Sequence, residues 1–179
     1  IDAFHSLVSQ RLVEAGLDVV NVPVCRLAAE FEDAIHTFEE KKADAIVTVH
    51  LAYSPSLESE MALANTKLPL IILDTTPDYT YDQYTDVSKM MLNHGIHGVQ
   101  DMCNLLKRNG KPYYICVGHA LHSEVVSEVV GMCRAAAAAD AYRHAKVGSV
   151  GGSFTGMGDF LVSDKRYRED IGAQVCYMT

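Results

Sequence analysis

The sequence predicts an α/β fold, a mainly parallel sheet with helices on both faces. Short apolar runs recur near residues 18–24, 45–50, 69–74, 113–118 and 146–151. A run that is apolar at consecutive positions suits a strand buried on both faces. Longer segments with apolar residues at helical spacing separate these runs, and strand–helix alternation is the pattern of a parallel sheet. The length of 179 residues, with 49% hydrophobic and 21% charged residues, fits an ordinary core-forming chain and excludes a long disordered one.

The elements follow in order. Phe4, Leu7, Val8 and Leu12 recur at helical spacing, with Gly16 as the expected stop. Residues 18–24 read as a strand. Phe31, Ile35 and Phe38, flanked by Glu30, Glu32, Glu39, Glu40 and Lys41, make an amphipathic helix with its charges outward. Residues 45–50 are too few for a helix and rich in β-branched side chains, hence a buried strand. Ser54-Pro55-Ser56 opens the next helix, and residues 68–74 form another buried strand. A Tyr-rich polar loop over 75–85 leads into one long helix over about 87–108, ended by Asn109-Gly110. A strand at 113–117, a helix from about 123 to 145 and a strand at 146–150 complete the alternation. Beyond Asp159 the pattern weakens into a strand, a charged turn or short helix, and a final strand. Right-handed crossovers between parallel strands then give a three-layer α/β/α sandwich of the flavodoxin or Rossmann sort. In such sheets ligands bind beyond the C-terminal strand ends, which selects residues 50–56, 74–84, 118–122 and 151–159.

Charge and cysteine usage narrow the function classes. With 15 Lys plus Arg against 23 Asp plus Glu, the net charge is −8, which argues against nucleic acid or an anionic membrane as partner. The richest basic run, Lys165-Arg166-Tyr167-Arg168, is followed at once by Glu169 and Asp170 and reads as a solvated face. Five cysteines stand singly, at 25, 103, 116, 133 and 176, with no C-x-x-C pair. Reduced, packed thiols in a cytoplasmic protein are the expectation.

Several segments offer site chemistry. The Gly-rich stretch 151–158 follows a strand but fits neither the dinucleotide nor the P-loop pattern, so a ligand-facing loop or a plain turn is preferred to a nucleotide site. In Asn93-His94-Gly95-Ile96-His97-Gly98, two glycines interrupt a helix that otherwise keeps its apolar face through Met90, Met91, Val99, Met102, Leu105 and Leu106. Glycine inside a helix costs about 1 kcal/mol against alanine, so close packing, a ligand or a partner is expected to need the small residues. His94 and His97 share a face at i, i+3, and structural histidines remain the alternative reading. His50, His119 and His122 sit at strand ends on the same edge. No nucleophile elbow and no metal-ligand spacing accompany them, so neither a catalytic nor a metal-ligating residue is assigned on this chain.

At these segments the chain resembles the N-terminal region of the L-arabinose and L-fucose isomerase superfamily, from about Asp44 onward. Val49-His50-Leu-Ala-Tyr-Ser54-Pro55, Asn93-His94-Gly-Ile-His97-Gly98, and Val147-Gly-Ser-Val-Gly-Gly through Met157-Gly-Asp159-Phe and Val162-Ser-Asp-Lys165 carry the resemblance by their order and spacing. It implies a flavodoxin-like N-terminal domain over 1–158 whose first strand is missing before Ile1. Residues 159–179 would begin the connection to a following domain. It implies a homo-oligomer, trimer or hexamer, acting on a sugar, an aldose or ketose, with manganese held by Glu and His residues of a later region. His94 and His97 would reach the sugar site of a neighbouring subunit and Met157 would line the pocket of its own. Position 94 is His where arabinose isomerases tend to have Gln, a departure that bears on which sugar is taken. The fragment alone is then expected to be inactive and free of tightly bound metal. The alternative is a non-catalytic carbohydrate-binding or regulatory module on the same fold. In the flavodoxin order the missing strand lies between those at 18–24 and 45–50, so these two are expected to be splayed unless a neighbouring segment fills the gap.

Overall fold

The computed structural model describes residues 1–152, 154 and 156–178, except for the side chain of Phe160. The chain divides into two compact units, Ile1–Cys133 and Arg134–Thr179.

In the first unit α1 (Asp2–Glu14) and α2 (Ala28–Glu40) precede β1 (Ile46–Val49), α3 (Ser56–Asn65) and β2 (Leu70–Asp74). Then come α4 (Ser88–Leu92), α5 (Gly95–Arg108), β3 (Tyr113–Val117) and the start of α6 (Val125–His144). The strands form a parallel sheet in the order β1-β2-β3, with Val49 opposite Leu73 and Leu73 opposite Cys116. β2 is the centre of the core, with Leu70 to Leu73 at most 1% exposed. Its alternation sends Ile71 and Leu73 against Val8 and Leu12 of α1 and Val125, Val126 and Val129 of α6. Leu70 and Ile72 meet Ile35 of α2, Leu63 of α3 and Val99, Met102 and Leu106 of α5. Helices therefore cover both faces of the central strand, as its doubly apolar sequence requires.

Local chemistry fixes the helix ends. Glu30 folds back to accept from the Arg26 and Leu27 N–H groups at 2.6 and 3.0 Å, holding the start of α2. Lys111 donates to the carbonyls of Thr66 and Leu68, securing the chain between α3 and β2. Cys116 is buried in the core and Cys103 and Cys133 pack against it, all as free thiols.

Four sequence expectations are corrected. Residues 18–24 form no strand: the segment has no ladder partner, and of it only Val19 packs against the core. Among the described residues β1 pairs with β2 alone, so no neighbouring strand stands beside 18–24 to receive its hydrogen bonds. The long helix over 87–108 is two helices, α4 and α5, separated at Asn93 and His94. The run at 146–151 does not extend the first sheet.

That run is β4 (Lys146–Val150) of the second unit, paired in parallel with β5 (Gln174–Met178) across α7 (Asp164–Asp170). Ser163 caps α7 by accepting from the Arg166 N–H at 3.2 Å, and Tyr177 donates to Asp164 at 2.6 Å. The strand expected just after Asp159 is absent. A single 3₁₀ turn, Gly158–Phe160, occupies that place. No helix among the described residues is long and apolar enough to cross a membrane.

Candidate functional site

The C-terminal edge of the first sheet carries most of the polar side chains that the sequence singled out. β1 ends just before His50, β2 at Asp74 and β3 just before Gly118 and His119, all on one edge because the strands are parallel.

His94 stands at the N-cap position of α5 and His97 one turn on, which brings their rings into a stack with centroids 4.1 Å apart and planes 13° from parallel. Tyr53, from the turn after β1, meets His94 edge-on at 5.9 Å. His94 is half-buried and His97 exposed.

The glycines of this segment serve packing within the chain. A Cβ at position 95 would lie 2.6 Å from the His50 carbonyl oxygen, and one at 98 would lie 2.6 Å from Cδ2 of the His50 ring. The start of α5 thus rests directly on His50, and burial lowers the pKa of His50 below the ordinary 6.5, leaving the ring neutral at pH 7.

A second group lies on the loops after β2 and β3. Tyr79 contacts His119 edge-on at 5.3 Å and His122 at 4.5 Å. His119 is buried. Its Nδ1 accepts from the Leu121 N–H at 3.1 Å, and its Nε2 lies 3.4 Å from the Pro77 carbonyl, which places the proton on Nε2. Ser123 donates to the His119 carbonyl at 2.9 Å and accepts from the Val125 N–H at 3.3 Å, so the same turn opens α6.

Asn93, at the break between α4 and α5, ties the loop after β2 to the helices. Its Nδ2 donates to Asp78 Oδ2 and to the Lys89 carbonyl, each at 2.9 Å, and its Oδ1 accepts from the Asp78 N–H at 3.0 Å. Lys89 donates to the other Asp78 oxygen at 3.0 Å. The Asn93 amide, and then Lys89, hold Asp78 below the usual carboxylate range, and Asp78 in turn raises Lys89. The helix breaks here because Asn93 is committed to the loop and Gly95 to His50.

The sequence reading placed Asp74 at the start of a ligand-edge segment but gave it no role of its own. It closes the all-apolar strand β2 and is 6% exposed, and burial pushes its carboxyl pKa up from 3.8. The signal was available as a lone acid ending the run Leu70-Ile-Ile-Leu-Asp74.

Met157 belongs to the second unit, where it precedes the 3₁₀ turn and is half exposed. In the preceding loop Gly151, Gly152 and Gly156 take positive φ of 81°, 71° and 88°, while Ser153 and Thr155 of the same stretch lie outside the described residues. The structure brings His94 and His97 together with Tyr53 and His50.

No family model matches the chain, and no curated protein matches it either. Among the described residues no group of three or more His, Cys, Asp or Glu side chains is placed to hold a metal ion.

Proposed function

We propose that this chain is the substrate-contacting and oligomerisation region of a manganese-dependent aldose–ketose isomerase of the L-fucose and L-arabinose type, with the metal ligands on a later region. The observation that carries the reading is the stacked His94–His97 pair with Tyr53 beside it, at the strand edge where parallel sheets bind ligands. Imidazole nitrogens both donate and accept, as hydroxyl-rich ligands require, and the Tyr53 ring offers an apolar wall. Met90, Met91, Leu92 and Ile96 flank the pair and are exposed, which suits burial against a second copy of the chain. A divalent metal held by a later region would supply Lewis-acid polarisation of the sugar. The residues here bind the sugar, orient it and exclude water.

The test is sugar binding by this chain, followed by saturation-transfer NMR against L-fucose, L-arabinose and their ketose isomers. His97→Ala should weaken binding by about 1–3 kcal/mol through loss of a hydrogen-bonding partner in the pocket. Equal affinity in wild type and variant would remove His97 from the site. Manganese-dependent conversion of aldose to ketose by the full-length protein separates the enzyme from a non-catalytic binding module, which would bind without turnover.

A further inference from the structure

We propose that Asp74 and His50 form a second, deeper hydroxyl-binding pair beneath the start of α5, taking a hydroxyl group of the same neutral polyol ligand that His94 and His97 contact. The proposal rests on the sugar-site reading above and extends it to two residues with no assigned role.

Register places the two together. Val49 pairs with Leu73, so the next residues, His50 and Asp74, end neighbouring strands side by side. Alternation puts both on the α5 face: Ile46 on β1, and Leu70 and Ile72 on β2, all pack against that helix layer. One contact agrees with this placement: the His50 ring lies against Gly98 of α5.

Asp74 is more than nine-tenths buried, yet among the described residues nothing hydrogen-bonds its carboxyl group. Its backbone carbonyl is satisfied by the Gly118 N–H at 3.0 Å, so the unmet capacity belongs to the side chain alone. His50, which is half-buried, likewise makes no side-chain hydrogen bond among the described residues. Buried polar groups are paired in the great majority of proteins, and the unbonded Asp74 carboxyl at the ligand edge of a parallel sheet, with an unbonded imidazole on the neighbouring strand end, marks a place for an external partner. The only sealed, unpartnered side-chain oxygen among the described residues is Thr48 Oγ1, so the Asp74 oxygens keep a narrow opening.

The donors and acceptors identify the ligand class. An ionised carboxylate only accepts, whereas a neutral imidazole offers one donor and one acceptor. A hydroxyl complements this pair, donating to Asp74 and accepting from His50. An anion is repelled by the carboxylate. A divalent cation needs several oxygen ligands, which are not gathered here.

Affinity for L-fucose, L-arabinose and the corresponding alditols, measured with the whole chain by saturation-transfer NMR, tests the pair alongside thermal melting. Asp74→Asn should weaken binding at least tenfold while the melting temperature holds or rises, because a buried unpaired charge is removed. A structural role predicts the reverse: a lower melting temperature with affinity kept in the folded fraction. Should Asp74→Asn not fold, the Asp74 carboxyl ¹³C resonance of wild type must shift on titration with the same sugars, saturating at the binding midpoint. Affinity within threefold of wild type, or an unmoved resonance, overturns the proposal. Loss of binding in His97→Ala but not in Asp74→Asn defeats this pair and leaves the proposed function standing. Loss in Asp74→Asn alone keeps the pair and defeats the histidine site. No binding of any probe by wild type defeats both.

Discussion

Replacing Gly95 by Ala tests the contact on which the arrangement at the strand edge depends. The new Cβ would lie 2.6 Å from the His50 carbonyl oxygen, 3.2 Å from its Cβ and 3.3 Å from its carbonyl carbon. All three are backbone or backbone-proximal atoms, so no rotamer change relieves the overlap, and α5 must lift from the end of β1. Helix propensity favours Ala by up to about 1 kcal/mol, whereas overpacking of this kind typically costs ~1–3 kcal/mol. Gly95 is the first residue of α5, where little of that interior gain applies, so the net loss should be roughly 1–2 kcal/mol, or a fall in melting temperature of roughly 3–10 °C for a unit of this size. Gly131→Ala is the control: it lies inside α6 with nothing within 4 Å of a Cβ, and it should gain up to about 1 kcal/mol. Gly98→Ala meets the His50 ring instead of backbone and should cost less than Gly95→Ala. That cost should vanish in a His50→Ala background, giving a coupling that a double-mutant cycle reads directly. Calorimetry or denaturant unfolding of the set suffices. A Gly95→Ala variant as stable as wild type would refute the packing argument.

Ionisation, packing and the exposed face of α4 each set a further measurable outcome. Because burial holds His50 below 6.5, the unfolded chain takes up its proton first, and stability should fall as pH drops from 6.5 toward the depressed value. His50→Gln should flatten that limb of a melting-temperature profile, and an unchanged slope would contradict it. Asp74 has the opposite sign: its raised pKa means stability is lost as pH rises from 3.8 through the folded value, a slope that Asp74→Asn should remove. Thr48→Val replaces a sealed, unpartnered hydroxyl with a methyl and should stabilise by about 1 kcal/mol, read by urea unfolding. Met91→Glu, on the exposed apolar patch of α4, should shift any self-association toward monomer in sedimentation velocity, and an assembly indifferent to it would exclude this face as the contact.

Apolar runs and helical spacing located nearly every element, and 113–117 and 146–150 match their strands to the residue. The errors share one cause. Residues 18–24 have a strand's composition, but a strand is completed by a neighbour, and composition does not report whether one is there. In the same way the run at 146–150 showed its propensity and not its partner, which proved to be β5. The break between α4 and α5 depends on Asn93 binding Asp78, fifteen positions away, and no local pattern encodes that bond. At the candidate site the histidine pair was readable from its i, i+3 spacing. What the small residues at 95 and 98 make room for was not, because His50 lies on another element. Asp74 was visible as a charge ending an apolar strand, but its lack of partners could be known only once the neighbours were placed.

The Asn93 clasp carries a consequence for how the strand edge opens. One amide supplies the acceptor for the Asp78 N–H and the donor for the Asp78 carboxylate, while the same nitrogen reaches back to the Lys89 carbonyl. These bonds cannot be released one at a time without turning the whole side chain. The loop after β2 and the end of α4 should therefore unfasten as a single cooperative event. In deuterium exchange the Asp78 amide and the Asn93 amide, the latter bonded to the Lys89 and Met90 carbonyls, should report one shared opening free energy. Asn93→Ala should raise both exchange rates together.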